Sequence, residues 1–474
     1  MARRLRIVIV SYVDDNFGDN LIRITFQQLL HVALENHGLA RDDYELAPMA
    51  LKQADEDLLG SADAICFAGG GLFGLSYLNF FEHVDRITSV AERRGIPVIF
   101  SSMGMNNMDA EGGSVDAIAK VVRRSCVKAV AVRENLELFQ QLVRGLPFDV
   151  RQVADPAVWT KYVYGMTDVV PDGTMGINVV RGGLFVANQR NWGLTAEMRY
   201  VAELRELAQA AGMAVQLYTN GSLDDNNTLR YLAREKQLPA EEIVLPQTTR
   251  EVVEAIATRS AIASIRMHSS IIAYSFGIPT VVLEWNDKLP FFYRAIGHPE
   301  RVLPFGEWSA ERAIGILQGA GVAPEQHDGY RDYLMSTYDY LYAAVGEHLL
   351  GRRDDGRYDF QQVADALVRR SADLDEDEFD LRVKLGKAER AYLGRFITLR
   401  ARDAEIRDRK KQVATLTAEV DTLTQRIENL STQVINLQAR VRAQDRELST
   451  RLPARVRRFA GRVRDRATRR ESPS

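Results

Sequence analysis

Through residues 5–300, short β-branched runs alternate with stretches of helix-period apolar spacing, and that alternation admits few folds. Leu5–Tyr12, Ala64–Ala68, Pro97–Ser101 and Ala129–Arg133 read as buried parallel strands, with helical spacing over Asn20–Glu35 and Asn79–Arg94 between them. This is the rhythm of a doubly wound sheet. It breaks at the polar stretch Tyr164–Asp172 and restarts with Met175–Val180, Ala214–Thr219, Ile243–Leu245, Ala261–Ile265 and Thr280–Glu284. The pattern predicts an α/β protein of two Rossmann-like domains, 1–165 and 174–306. Two such sheets face each other across a cleft at their strand C-terminal ends, where ligands usually bind.

Helical spacing continues from Ala310 to Leu350 and from Asp359 to Arg370, a helical extension over 307–372. An acidic linker, Asp373–Asp380, opens a linker-and-helix region over 373–412. From Val413 the chain locks into heptads. Val413, Val420, Ile427, Val434, Val441 and Leu448 recur every seventh residue, and Leu416, Leu423, Leu430 and Leu437 follow the first four by three. Mostly β-branched residues at a with Leu at d favour a parallel two-stranded coiled coil over 413–450, and hence a homodimer. Arg440 at g and Asp445 at the following e suit an interhelical salt bridge. The competing reading is a long helix packed on its own domain.

The net charge of −3 conceals a strong asymmetry: residues 451–474 carry nine Arg against Asp465 and Glu471, or +7, leaving −10 elsewhere. Leu452, Val456, Phe459 and Val463 recur among those arginines at 4-3-4 spacing. A basic amphipathic tail of this kind lies on an anionic membrane surface or stays a solvated tail, and both readings remain open. Phe459 is the one aromatic interleaved with the charge, which argues against nucleic acid.

With 46% hydrophobic and 26% charged residues, the 474-residue chain is neither disordered nor repeat-biased. Its longest weakly polar stretch, Ile271–Leu283, is interrupted by Ser275, Gly277 and Pro279 and falls short of the ~18 apolar residues of a spanning helix. Ile7–Val10 is too short for the apolar core of a signal peptide. Cys66 and Cys126 sit in apolar contexts without metal-ligand spacing and read as core residues. A cytoplasmic protein is expected.

Four places carry possible chemistry. Asn16-Phe17-Gly18-Asp19-Asn20 follows the first strand and opens a helix, suiting either a helix cap or a backbone anion site. Gly69, Gly70 and Gly71 permit a tight turn, either with N–H groups turned to the cleft or simply for close backbone packing. They match neither the dinucleotide nor the P-loop spacing. At Ser264–Ser270, Arg266 and His268 alternate with apolar neighbours, so an extended segment points both to one side, an anion clamp beside a proton donor. Lys288, past the strand Thr280–Glu284, is placed to neutralise a phosphate unless it is an ordinary loop lysine.

Taken in order, these segments resemble the polysaccharide pyruvyl transferase family over Arg6–Gly297. The resemblance rests on N-x-G-D at Asn16–Asp19, Gly-Gly-Gly-Leu-Phe at Gly69–Phe73, Val132-Arg133-Glu134, Asp155-Pro156, and R-x-H…G-x-P…K at Arg266, His268, Gly277, Pro279 and Lys288. Asp15 departs from it, standing where the family often has Gly. What it implies is a GT-B-like enzyme that places a pyruvate ketal from phosphoenolpyruvate on a sugar of a cell-surface glycan or its lipid-linked precursor. By that resemblance His268 moves the proton, Arg266 and Lys288 bind the donor's anionic groups, and Arg181 is a weaker candidate for the same task. Asn16, Asp19, Gly69, Gly70 and Gly71 line the acceptor side in the first domain, with the donor on the second. No metal or cofactor is called for. Two other readings stand behind it: a GT-B glycosyltransferase using a nucleotide-sugar, and a non-enzymatic dimeric scaffold.

Overall fold

The computed structural model describes residues 3–13, 16–73, 80–105, 113–181, 194–320, 329–352, 358–374, 377–451 and 454–468. Two compact units result, Met1–Ala388 and Glu389–Ser474.

The first sheet holds β1 (Leu5–Ser11), β2 (Tyr44–Ala50), β3 (Ala64–Phe67), β4 (Val98–Met103), β5 (Val127–Val132) and β6 (Arg151–Gln152). All pair in parallel, in the order β2-β1-β3-β4-β5-β6. Around it lie α1 (Phe17–Asn36), α2 (Glu56–Gly60), α3 (Phe80–Arg94), α4 (Gly113–Val122), α5 (Leu136–Leu142) and α6 (Thr160–Val163). The second sheet holds β7 (Thr174–Asn178), β8 (Ala214–Tyr218), β9 (Ile243–Val244), β10 (Ala261–Ser264), β11 (Thr280–Leu283) and β12 (Val302–Leu303). It too is parallel, in the order β12-β11-β10-β7-β8-β9. Its helices are α7 (Leu194–Ala210), α8 (Leu223–Lys236), α9 (Thr249–Ala257), α10 (Met267–Ser275), α11 (Lys288–Ala295) and α12 (Ala310–Gly319). The two parallel α/β domains read from the alternation are therefore present.

The central strands are largely apolar because helices cover both faces. Ile7, Val8, Ile9 and Val10 are all fully buried, as a central parallel strand requires. β2 escaped the sequence reading because Pro48 interrupts it; an edge strand tolerates a missing N–H, and β2 is an edge. Cys66 and Cys126 are buried and free, and burial pushes their thiols up to about 12 and about 11, so neither is a thiolate at neutral pH.

The stretch 307–372, expected as an extension beyond the two domains, divides between them. α12 joins the second core through Ala310, Ala313 and Leu317. The next two helices, α13 (Tyr330–His348) and α14 (Phe360–Arg370), return to the first domain. Trp159 Nε1 donates to the Leu334 carbonyl (3.0 Å), and Tyr340 Oη to that of Phe100 (2.7 Å). Arg370 pairs with Glu35 of α1. One hydrophobic core then runs through both domains, from Leu21 and Leu29 of α1 to Ile256 of α9, Ile272 of α10 and Leu341 of α13.

Beyond this lies α15 (Asp377–Arg451), a single helix of 75 residues, followed by α16 (Ala454–Thr468). α15 begins inside the stretch read as an acidic linker, which is helical from Asp377 onward. The heptad residues Val413, Leu416, Val420, Leu423, Ile427 and Leu430 lie along it, each more than half exposed. Among the described residues, no helix is long and apolar enough to cross a membrane.

Candidate functional site

The site forms where strand ends of the first domain meet two strand-to-helix corners of the second. At the first corner β10 ends on Ser264 and α10 starts on Met267, so Arg266 is the N-cap and His268 falls in the first helical turn. The extended geometry expected for this segment is therefore a corner, and the two side chains meet different partners. Arg266 Nε and Nη2 donate to both oxygens of Asp225 at 2.8–3.2 Å, and its backbone N–H donates to Asn178 Oδ1 at 3.0 Å. Asp225 is wholly buried. The guanidinium read as a donor clamp is thus engaged by a carboxylate of its own domain, a pairing that a buried charge requires.

His268 turns toward the first domain, against Gly18 in the opening turn of α1. A Cβ on Gly18 would stand 2.5 Å from His268 Nδ1 and 2.7 Å from its Cβ, so the imidazole occupies the space that glycine leaves. Asn16 shapes this turn: its Oδ1 accepts from the Gly18 N–H at 3.4 Å, and its Nδ2 donates to Asp19 Oδ2 at 2.9 Å. Asn16 is the N-cap of α1, as the capping reading anticipated, and Asp19 lies in the first turn behind it. Asp15 lies outside the described residues. His268 Nε2 is buried with no hydrogen-bond partner and lies 3.9 Å from Asp155 Oδ2. Burial lowers its pKa to about 4, against the pull of Asp155, so the ring is neutral at pH 7.

Three charges under His268 were legible only as family positions, not as a cluster. Arg133, at the end of β5, donates through Nη1 to Asp155 Oδ2, and its Nε lies 3.4 Å from Glu134 Oε2. Glu134 Oε1 accepts from the Met105 N–H at 2.9 Å, and Asp155 Oδ1 from that of Ala157 at 3.0 Å. All three residues are buried. A Cβ on Gly104 would lie 2.2 Å from Arg133 Nη2, so the strand end makes room for the guanidinium.

Lys288 opens α11 at the second corner. Burial, then Arg133, lowers its pKa to about 8, while Glu134, Asp19 and Asp155 act in the opposite sense. It lines a cavity of about 410 Å³ between the domains, with Met105, Glu134 and Asn135 on one wall and Glu284 and Phe291 on the other. Asn135 holds a left-handed backbone (φ 61°), a strained conformation at the cavity edge.

The glycine turn is tight and packs at Gly69 against the end of β4. Gly69 and Gly70 have φ of 117° and 91°, the Gly70 carbonyl accepts from Gly104 N–H at 2.7 Å, and a Cβ on Gly69 would touch Ser102 at 3.2 Å. Arg181 donates its backbone N–H to Asp225 Oδ1 (2.7 Å), and its half-exposed side chain stands 3.9 Å from Asp224. Among the described residues no three of His, Cys, Asp and Glu cluster as metal ligands. The assembly offers a neutral imidazole beside the buried Arg133–Asp155 pair and, on the cavity wall, the ammonium of Lys288, a setting for an anion and for proton transfer.

The family model for polysaccharide pyruvyl transferase matches residues 7–287, more than half of the chain. No curated protein matches in sequence. Among solved structures, UDP-GlcNAc 2-epimerase from Methanocaldococcus jannaschii is 12% identical, with a TM-score of 0.44 over 70% of this chain and 98% of that one. A putative UDP-N-acetylglucosamine 2-epimerase from Listeria monocytogenes is 11% identical, with 0.47 over 75% and 99%. ADP-heptose lps heptosyltransferase II of E. coli is 13% identical, with 0.35 over 67% and 98%. Likeness at this level carries no functional information.

Proposed function

Because the chain belongs to the polysaccharide pyruvyl transferase family, we propose that it places the pyruvate unit of phosphoenolpyruvate, as a ketal, on a sugar of a cell-surface polysaccharide or its lipid-linked precursor. The observation that carries this reading is the unpartnered, buried Nε2 of His268 in a site that also holds Lys288 and Arg133. Phosphoenolpyruvate brings a carboxylate and a phosphate, and the ammonium of Lys288 on the cavity wall suits the phosphate.

A proton added to C3 of the enol makes C2 electrophilic. Two acceptor hydroxyls bond to C2 in turn and the phosphate leaves. Of the two hydroxyl protons, one balances the proton gained by C3 and the other leaves with phosphate. His268, neutral before substrate arrives, serves as the base that takes the hydroxyl proton, and can return it to C3. Lys288 is mostly protonated at pH 7 and holds the phosphate. Arg266 acts through its grip on Asp225, which fixes the corner that presents His268. Asn16 and Asp19 hold the Gly18 turn against it, and the packed glycines Gly69–Gly71 form the acceptor-side wall beside them. Arg181 serves at the margin of the donor side. Replacing His268 with Gln, with ketal formation read by mass spectrometry, tests the assignment: activity falls below detection while the fold persists.

The protein acts as a dimer through residues 413–450. The support is the run of β-branched a residues and leucine d residues, each exposed along α15 on the isolated chain.

A further inference from the structure

We infer that α16 is an interfacial anchor that lies on an anionic lipid bilayer. On this helix Val456, Phe459, Ala460 and Val463 recur at intervals of three and four, which gathers them into one stripe. Phe459 is 73% exposed, Val463 56% and Val456 45%, so this stripe is not covered by the helix's own unit. The remaining positions between Ala454 and Thr468 are dominated by arginine: Arg455, Arg457, Arg458, Arg462, Arg464 and Arg466, against one acid, Asp465. Arg464 also reaches back to Asp445 of α15 at 3.0 Å, which ties the helix to the stalk.

An apolar stripe with an aromatic at its centre, flanked by arginines, fits the boundary between headgroups and acyl chains. The ring enters the acyl boundary and the guanidinium groups stay with the phosphates. The helix is too polar and too short to span, so it rests on the surface. Charge selects the lipid. The tail carries +7 and the rest of the chain −10, so an anionic bilayer attracts the tail while repelling the body. Nucleic acid shares the anionic charge but offers no acyl layer for Val456, Phe459 and Val463. This inference stands on α16 alone and is independent of the chemistry proposed above.

The test is flotation of the full-length protein with vesicles of phosphatidylcholine alone or mixed with phosphatidylglycerol. The expected result is about tenfold or greater enrichment on the mixed vesicles, lost at high salt. Arg458→Glu with Arg462→Glu should abolish it. Phe459→Ser should weaken it about tenfold without changing its salt dependence. Helix content and melting of each variant, compared with the parent, show that the change is local. Equal recovery on both vesicle types overturns the inference, as does binding indifferent to both substitutions. Retention by single-stranded RNA in the absence of vesicle binding overturns it in favour of nucleic acid.

Discussion

Gly18 and His268 meet across the two domains at a distance that leaves no room for a methyl group: a Cβ on the glycine would lie 2.5 Å from the imidazole Nδ1. The backbone supports the same junction, since Phe17 N–H donates to the Asn220 carbonyl at 3.0 Å. The first helix of one domain therefore sets the position of a histidine carried by the other. Gly18→Ala should displace the ring and lower kcat by about 100-fold, with a stability loss of roughly 1–3 kcal/mol. Kinetics beside a thermal melt checks this: a melt shift with unchanged kcat would mean the contact is only packing.

Lys288 costs the free protein stability. Its pKa falls from the ordinary lysine value of 10.5 to about 8 in the fold, so the unfolded chain binds the proton more tightly. The penalty is complete below pH 8 and fades as pH rises toward 10.5. Lys288→Met should therefore raise stability at pH 7 by roughly 1–3 kcal/mol while removing activity, the trade expected of a functional residue. Denaturant melts at pH 7 and pH 10 check the sign, because the gain should shrink at the higher pH.

The same two groups set a pH profile. His268 must be neutral and Lys288 charged, and burial lowers both pKa values, to about 4 and about 8. A plot of kcat/KM against pH should be bell-shaped with limbs near those values, since that parameter reports the free enzyme. Lys288→Arg should move the alkaline limb upward in whatever activity remains.

Arg133 is buried against Asp155 and Glu134, so removing Asp155 breaks a buried hydrogen-bonded ion pair and leaves Nη1 without its acceptor. Asp155→Ala should destabilise by roughly 3–5 kcal/mol. A double change of Arg133→Met with Asp155→Ala should not recover that loss, because the buried Glu134 is then left without the guanidinium beside it, as equilibrium unfolding would show.

On the stalk, Leu423→Glu with Leu430→Glu places like charges at two d positions of the proposed seam. Light scattering of the full-length protein should then report half the parent mass. An unchanged oligomer would contradict the dimer read from the heptads.

Strand runs such as Ile7–Val10 were legible because both faces are buried, so their composition alone marks them. β2 was not, because Pro48 on an edge strand breaks the local pattern without breaking the sheet. His268 and Lys288 were legible from motif order. Their surroundings were not: the partner of Arg266 lies 41 positions upstream at Asp225, and that of Arg133 lies 22 positions downstream at Asp155. Pairings of that range depend on topology, which fixes where strand ends converge. The return of α13 to the first domain was hidden for the same reason, since its tyrosines bond to carbonyls such as Phe100 and carry no local mark.

The most direct test is calorimetric titration of the full-length protein with phosphoenolpyruvate, beside a UDP-sugar and the Lys288→Met variant. Saturable heat with phosphoenolpyruvate that disappears in the variant, and none with the UDP-sugar, is the predicted result. Heat with the UDP-sugar and none with phosphoenolpyruvate would contradict pyruvyl transfer and assign the cleft to a glycosyltransferase.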